Sequence, residues 1–119
     1  GDVKGEARLR IVPPLPWKWD FDNLKDMPIT WAGGRVRYVI REGEGGNKFV
    51  AKLDNIPTKP GQFTKLGTRS QCWFGPDTLS NYTIQADCSA QQKGGKMPEI
   101  GLINQRYTLT LLGNAQQLQ

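Results

Sequence analysis

Asp20, Asp22, Asn23 and Asp26 stand within seven positions and offer the oxygen ligands that a calcium ion takes. The set lacks the ligand periodicity and the fixed glycine of an EF-hand loop, so calcium is the single cofactor worth weighing here. The same segment suggests a second chemistry. In an extended chain Asp20 and Asp22 project to one side, and glycoside hydrolysis needs two carboxylates about 5–10 Å apart. The plain alternative is a set of solvated acids at the end of a strand. We expect no catalysis from them, and no enzyme.

Binding is the other chemistry on offer. Trp31, Trp73, Phe74, Tyr82 and Tyr107 supply faces on which a sugar ring or a base can stack, although aromatics in small β domains also build cores. Trp31 and Trp73 lie nearest to turn signals and are expected to be partly exposed. Asn104 and Arg106, beside Tyr107, carry donors suited to hydroxyls or a carboxylate. These five residues, Trp31, Trp73, Asn104, Arg106 and Tyr107, form the candidate ligand site. Asn81, Tyr82 and Thr83 also spell a formal N-glycosylation sequon.

The chain has no histidine, which excludes Ser-His and Cys-His dyads and histidine-based zinc sites. Cys72 and Cys88 are its only cysteines, at a spacing that matches no redox or metal motif. They form either a disulfide or two buried thiols. The net charge of +5 divides as +3 over residues 1–60 and +2 over 61–119. A nucleic-acid binder concentrates such charge, so the arginines read as solvated strand faces and no specific nucleic acid is expected. No apolar run is long enough to span a bilayer.

Those side chains need elements to hold them, and the sequence points to strands. The 119 residues include 14 Gly and 8 Pro, more than an ordinary domain carries, so long helices are disfavoured. Residues 5–12 alternate, with Ala7, Leu9 and Ile11 opposite Glu6, Arg8 and Arg10. Pro13, Pro14 and Pro16 then make a stiff connector. Trp17, Trp19 and Phe21 recur with period two. Residues 35–53 predict an antiparallel hairpin closed by 43–47, with Val36, Tyr38, Ile40, Phe49 and Leu53 in the core. Its glycine-rich loop leads into a strand, not a helix, so it is no phosphate cradle. Pro57, Pro60 and Gly61 mark a connection. Residues 71–74 and 82–88 read as strands, and 100–104 with 106–112 as a second hairpin. Residues 116–119 begin a further strand. The expected fold is all-β, an antiparallel sandwich or jelly roll, with residues 1–16 as strand and connector and 17–119 as the module.

Three stretches carry a family resemblance: residues 12–17 (VPPLPW), 79–87 (LSNYTIQAD), and 101–107 (GLINQRY) running on to 111–114 (LLGN). Together they resemble the C-terminal region of bacterial PQQ-like β-propeller repeat proteins. There a proline-rich connector leads into a concanavalin A-like, laminin-G-like jelly roll. The resemblance spans most of residues 5–119 and is chiefly structural. It implies core positions at Tyr82, Ile84 and Ala86, a turn at Gly113 and Asn114, and a periplasmic, cell-envelope or extracellular location. The propeller that would hold a quinone is not in these stretches, so no quinone site carries over.

The chain starts at Gly1 without Met and stops inside a pattern, from which we expect a piece of a longer protein. The functional expectation is a non-catalytic accessory module that binds a glycan or packs against a larger partner. The alternative is a structural subunit whose open edge, at residues 107–119, is covered by another chain.

Overall fold

The computed structural model describes residues 2–7, 9, 11–65 and 69–119. Arg8 and Arg10 lie outside the described residues. Along the chain run β1 (Trp31–Ala32), the single helical turn α1 (Gly34–Arg37), β2 (Tyr38–Glu42), a 3-10 turn (Glu44–Gly46) and β3 (Lys48–Lys52). Then follow β4 (Asn55–Lys59), β5 (Gln62–Lys65), β6 (Trp73–Phe74), β7 (Ile100–Asn104), β8 (Tyr107–Leu112) and β9 (Gln117–Leu118). They pair antiparallel as β1–β6, β2–β3, β4–β5 and β7–β8–β9. The class is all-β, built from small open sheets. Among the described residues no helix is long and apolar enough to cross a membrane. The chain divides into two compact units, Gly1–Gly75 and Pro76–Gln119.

In the first unit the described residues of the N-terminal alternation, 5–7, 9, 11 and 12, are not in a strand. Leu9 and Ile11 are exposed. Trp17, Trp19 and Phe21 do not form a strand either. Phe21 takes the left-handed backbone (φ 67°), and the Trp17 indole N–H turns back to the Pro13 carbonyl at 2.6 Å. Met27 is the one buried apolar side chain among the described residues, 2% exposed. It meets Gly34 and Trp31 closely: a Cβ on Gly34 would lie 3.2 Å from Trp31 Cβ and 3.3 Å from Met27 Cε. A side chain there would require Trp31 or Met27 to give by a few tenths of an ångström.

The hairpin of residues 35–53 forms in part. Residues 38–52 make it, and the loop is closed by the Gly43 N–H on the Asn47 carbonyl at 2.8 Å. Gly45 and Gly46 take φ of 68° and 77°, a conformation that side chains resist. Arg35, Val36 and Arg37, expected in the first arm, instead form α1, and Val36 is exposed. The expected core face is also corrected. Ile40 opposes Val50 and Arg41 opposes Phe49, so Phe49 lies on the opposite face from Tyr38 and Ile40. Five loop residues separate the paired Glu42 and Lys48, which couples even positions to even. Each face therefore carries a few apolar side chains, and neither makes a continuous core.

Residues 55–65 hold a hairpin that the prolines concealed. Lys59 pairs with Gln62 around Pro60 and Gly61, and Gly61 has φ 77°. Proline followed by a left-handed glycine is the pattern of a type II turn. The register shifts between Pro57 and Lys59, where Pro57 has no N–H to give to the ladder.

The second unit contains the hairpin expected at residues 100–112. Asn104 opposes Tyr107, Leu102 opposes Leu109 and Ile100 opposes Leu111, which puts these apolar residues on one face. β9 adds Leu118 opposite Leu111, with mutual bonds between Thr110 and Gln119 at 2.7 and 2.8 Å. Residues 82–88 form no strand, contrary to their alternation. Side-chain bonds hold this region in place of a ladder: Tyr82 donates to Asn104 Oδ1 at 2.8 Å, and Gln105 Nε2 to the Leu79 carbonyl at 3.0 Å.

Candidate functional site

The two units split the expected ligand residues. Trp31 and Trp73 belong to the β1–β6 pair of the first unit, while Asn104, Arg106 and Tyr107 belong to the β7–β8 hairpin of the second. Trp31 is not a free platform. Its ring stacks on Phe74 with centroids 4.6 Å apart and meets the edges of Trp19 and Phe21 at 5.9 and 5.7 Å. This four-ring cluster holds β1 and β6 together, and the period-two pattern at residues 17–21 was its only trace in the sequence. Trp73, one residue away, is 47% exposed.

At the tip of β7–β8 the three candidates do come together. Asn104 and Tyr107 are direct cross-strand partners, and Arg106 lies in the two-residue turn behind Gln105, whose φ is 54°. Tyr107 is 79% exposed. The tip thus presents an open aromatic ring beside an amide and a guanidinium, the groups a sugar ring uses for stacking and hydrogen bonding.

The acids of residues 20–26 are not gathered. Asp20 Oδ1 accepts the Asp22 N–H at 3.2 Å, and Asp22 Oδ1 accepts the Lys48 N–H at 2.9 Å. Short side chains that cap nearby main-chain donors stabilise turns. Among the described residues no group of three or more His, Cys, Asp or Glu could hold a metal ion, so Asp20, Asp22 and Asp26 do not assemble the expected calcium cluster. Asp22 instead fastens the turn at residues 20–24 to β3, helped by Lys48 Nζ on the Leu24 carbonyl at 3.2 Å. Cys72 and Cys88 are free thiols, Cys72 half-buried and Cys88 exposed.

A pocket of about 310 Å3 opens against β2, lined by Asp26, Met27, Arg35, Tyr38, Val39, Ile40 and Leu53. Its walls follow from the local fold. α1 replaces the start of the expected strand and brings Arg35 back to Met27, where Nε donates to the Met27 carbonyl at 3.1 Å. Tyr38 donates its hydroxyl to the Ser70 carbonyl at 2.7 Å. The sequence marked Asp26 as acidic and Arg35 as a strand-face cation. Their meeting at one pocket had no local signal.

Burial pushes the Tyr38 hydroxyl above its usual pKa, reinforced by Cys72 and opposed by Arg37. Burial likewise raises the Cys72 thiol, which disfavours its thiolate. A raised folded-state pKa means that Tyr38 contributes stability below the ordinary tyrosine pKa and loses it as pH rises through the folded value. The expected result is a first unit that weakens above about pH 10. Tyr38→Phe should shrink this alkaline step, leaving the share that the buried Cys72 thiol contributes by the same rule, and cost about 1 kcal/mol at neutral pH by deleting the bond to Ser70. Urea midpoints at pH 7 and pH 11 check both points, and an alkaline step as large in Tyr38→Phe as in the parent contradicts the assignment.

Comparison of the chain with family models, with curated proteins and with solved structures finds no match.

Proposed function

We propose that this chain is a non-catalytic β module of a secreted or envelope protein, and that it works by packing against a larger partner which completes its open sheets into a sandwich. One observation carries the reading. The chain exposes 10735 Å2, whereas two globules of the size of its units would expose about 7,700 Å2 together. Part of the difference lies in residues 2–7, 9 and 11–16, all of them exposed but Val12. The rest includes sheet surface: Leu109, Leu111 and Leu118 share one face of β7–β8–β9 and are 50%, 48% and 63% exposed. A sheet that leaves large aliphatic side chains in water gains by covering them, at about 25 cal/mol per Å2.

The isolated chain tests this. Hydrogen exchange is expected to protect β2–β3 and β7–β8 most strongly and β1–β6 and β9 measurably but less, with a urea m-value well below the usual range for this length. Sedimentation should be read alongside, to report association. A monomer that unfolds in one cooperative transition with an ordinary m-value, and protects residues 107–119 fully, completes its own core and overturns the proposal.

A further inference from the structure

We infer that the pocket against β2 binds a small zwitterion of the α-amino acid type with an apolar side chain. This site is independent of the packing surface on the second unit. Its volume of about 310 Å3 stands at the lower end of the span, about 300–1,000 Å3, of small-molecule sites. The chemistry of its lining is specific. Asp26 and Arg35 carry opposite charges into one pocket, yet among the described residues they form no ion pair with each other. Arg35 is fixed through Nε by the Met27 carbonyl, which leaves its terminal nitrogens to receive a carboxylate. The Asp26 carboxylate, on the residue next to Met27, is left to receive an ammonium.

The rest of the lining is mainly apolar. Met27 is buried and Val39, Ile40 and Leu53 are half-buried, with Ile40 on the opposite face of the hairpin from Val39 and Leu53, so the edge of β2 rather than one face of it meets a branched aliphatic side chain. The main chain adds to the polar rim. The bonds from Gly43 to Asn47 and from Leu53 to Arg37 fix the phase of the hairpin, so the odd residues of β2 bond to β3. The Ile40 N–H and carbonyl therefore point to the opposite edge of β2. An ammonium and a carboxylate on one carbon match opposite charges that line one pocket without pairing to each other. A simple amine or acid meets only one of them.

Both charged groups stand at an exposed rim, so affinity in the millimolar range is expected. The test is a titration of the whole chain, followed by backbone amide shifts, with L-leucine and two analogues. 3-Methylbutylamine lacks the carboxylate and 4-methylpentanoate lacks the ammonium. L-leucine is expected to give saturable shifts at residues 26–27, 35–40 and 53, with each analogue at least about tenfold weaker. Asp26→Asn should abolish the preference for leucine over 4-methylpentanoate, and Arg35→Gln the preference over the amine. Because the readout is discrimination between ligands, a modest loss of stability does not imitate it. Absence of saturable shifts at about 20 mM leucine, or equal binding of all three compounds, overturns the proposal. Saturable shifts from a neutral, end-capped peptide alone would assign the β2 edge to strand addition and overturn it equally.

Discussion

Trp31→Ala is expected to unfold the first unit under conditions where the parent chain holds it. The indole touches three other rings, and it is the residue at which β1 meets β6 across more than forty positions of sequence. Removing a packed Trp costs about 3–5 kcal/mol when buried, and a half-buried one falls at the lower end. A unit of 75 residues has a total stability of about 4–11 kcal/mol, and this one buries a single apolar side chain among its described residues. The loss is therefore a large share of what exists. Trp31→Phe is the informative partner. It retains a ring to stack on Phe74 and removes an indole N–H that is buried without an acceptor. Since an unsatisfied donor costs about 1–3 kcal/mol, Phe should restore most of the lost stability. Limited proteolysis and hydrogen exchange at residues 31–32 and 73–74 read the outcome. Equal protection in Trp31→Ala and the parent would show that the cluster does not hold the unit.

The fold was legible wherever two strands are neighbours in sequence and a turn announces them. Residues 43–47 gave away β2–β3, and the alternation on both sides of Gln105 gave away β7–β8. What failed was everything that depended on a distant partner. Residues 5–12 and 82–88 alternate as well as any strand in the chain, but alternation only describes two faces. Without a neighbouring backbone to take the N–H and carbonyl groups, no ladder forms. The converse error occurred at residues 55–65. Three breakers there looked like a connection, yet Pro60 and Gly61 occupy the two turn positions that suit them, and Pro57 marks an irregularity in the ladder. The face of β3 was readable from loop length, because five residues between Glu42 and Lys48 fix the parity of every pair.

The candidate sites follow the same division. Asn104, Arg106 and Tyr107 meet because one tight turn brings them together, and a local pattern suffices to see it. Asp26 and Arg35 meet because α1 interrupts what reads as a continuous strand from residue 35. The alternation of Arg35, Val36, Arg37 and Tyr38 concealed that turn. Gly33, at φ 77°, and the tight packing of Gly34 on Met27 set it up, and the second is a tertiary contact. The acids at 20 and 22 stand close in sequence, but each turns one oxygen to a main-chain donor, which competes with a metal in a turn rich in aspartate.

Gly101→Ala is expected to disrupt the second unit as Trp31→Ala does the first. Gly101 sits inside β7 opposite Thr110, a place where glycine ordinarily weakens a strand and alanine would be the better residue. Here the geometry reverses that preference. A Cβ at Gly101 would be driven into the Leu109 carbonyl, with the Thr110 Cα also only 3.1 Å away. These are main-chain atoms of β8, so no rotamer change relieves the clash, and the two strands must separate or slip. Slippage by one position would turn Leu109 and Leu111 to the other face and take β9 with them, since Leu118 is paired to Leu111. The cost should exceed about 2 kcal/mol, where strain of this kind places a mutation among the severe ones. Amide protection across 100–112 is the measurement, and it should fall together with that of 117–119. Gly95→Ala separates clash from left-handed backbone strain, because a Cβ there meets nothing within 4 Å while its φ of 75° resists a side chain, so it should cost stability without parting β7 from β8. If Gly101→Ala leaves β7–β8 as protected as before, the close approach of Leu109 is not part of the folded sheet.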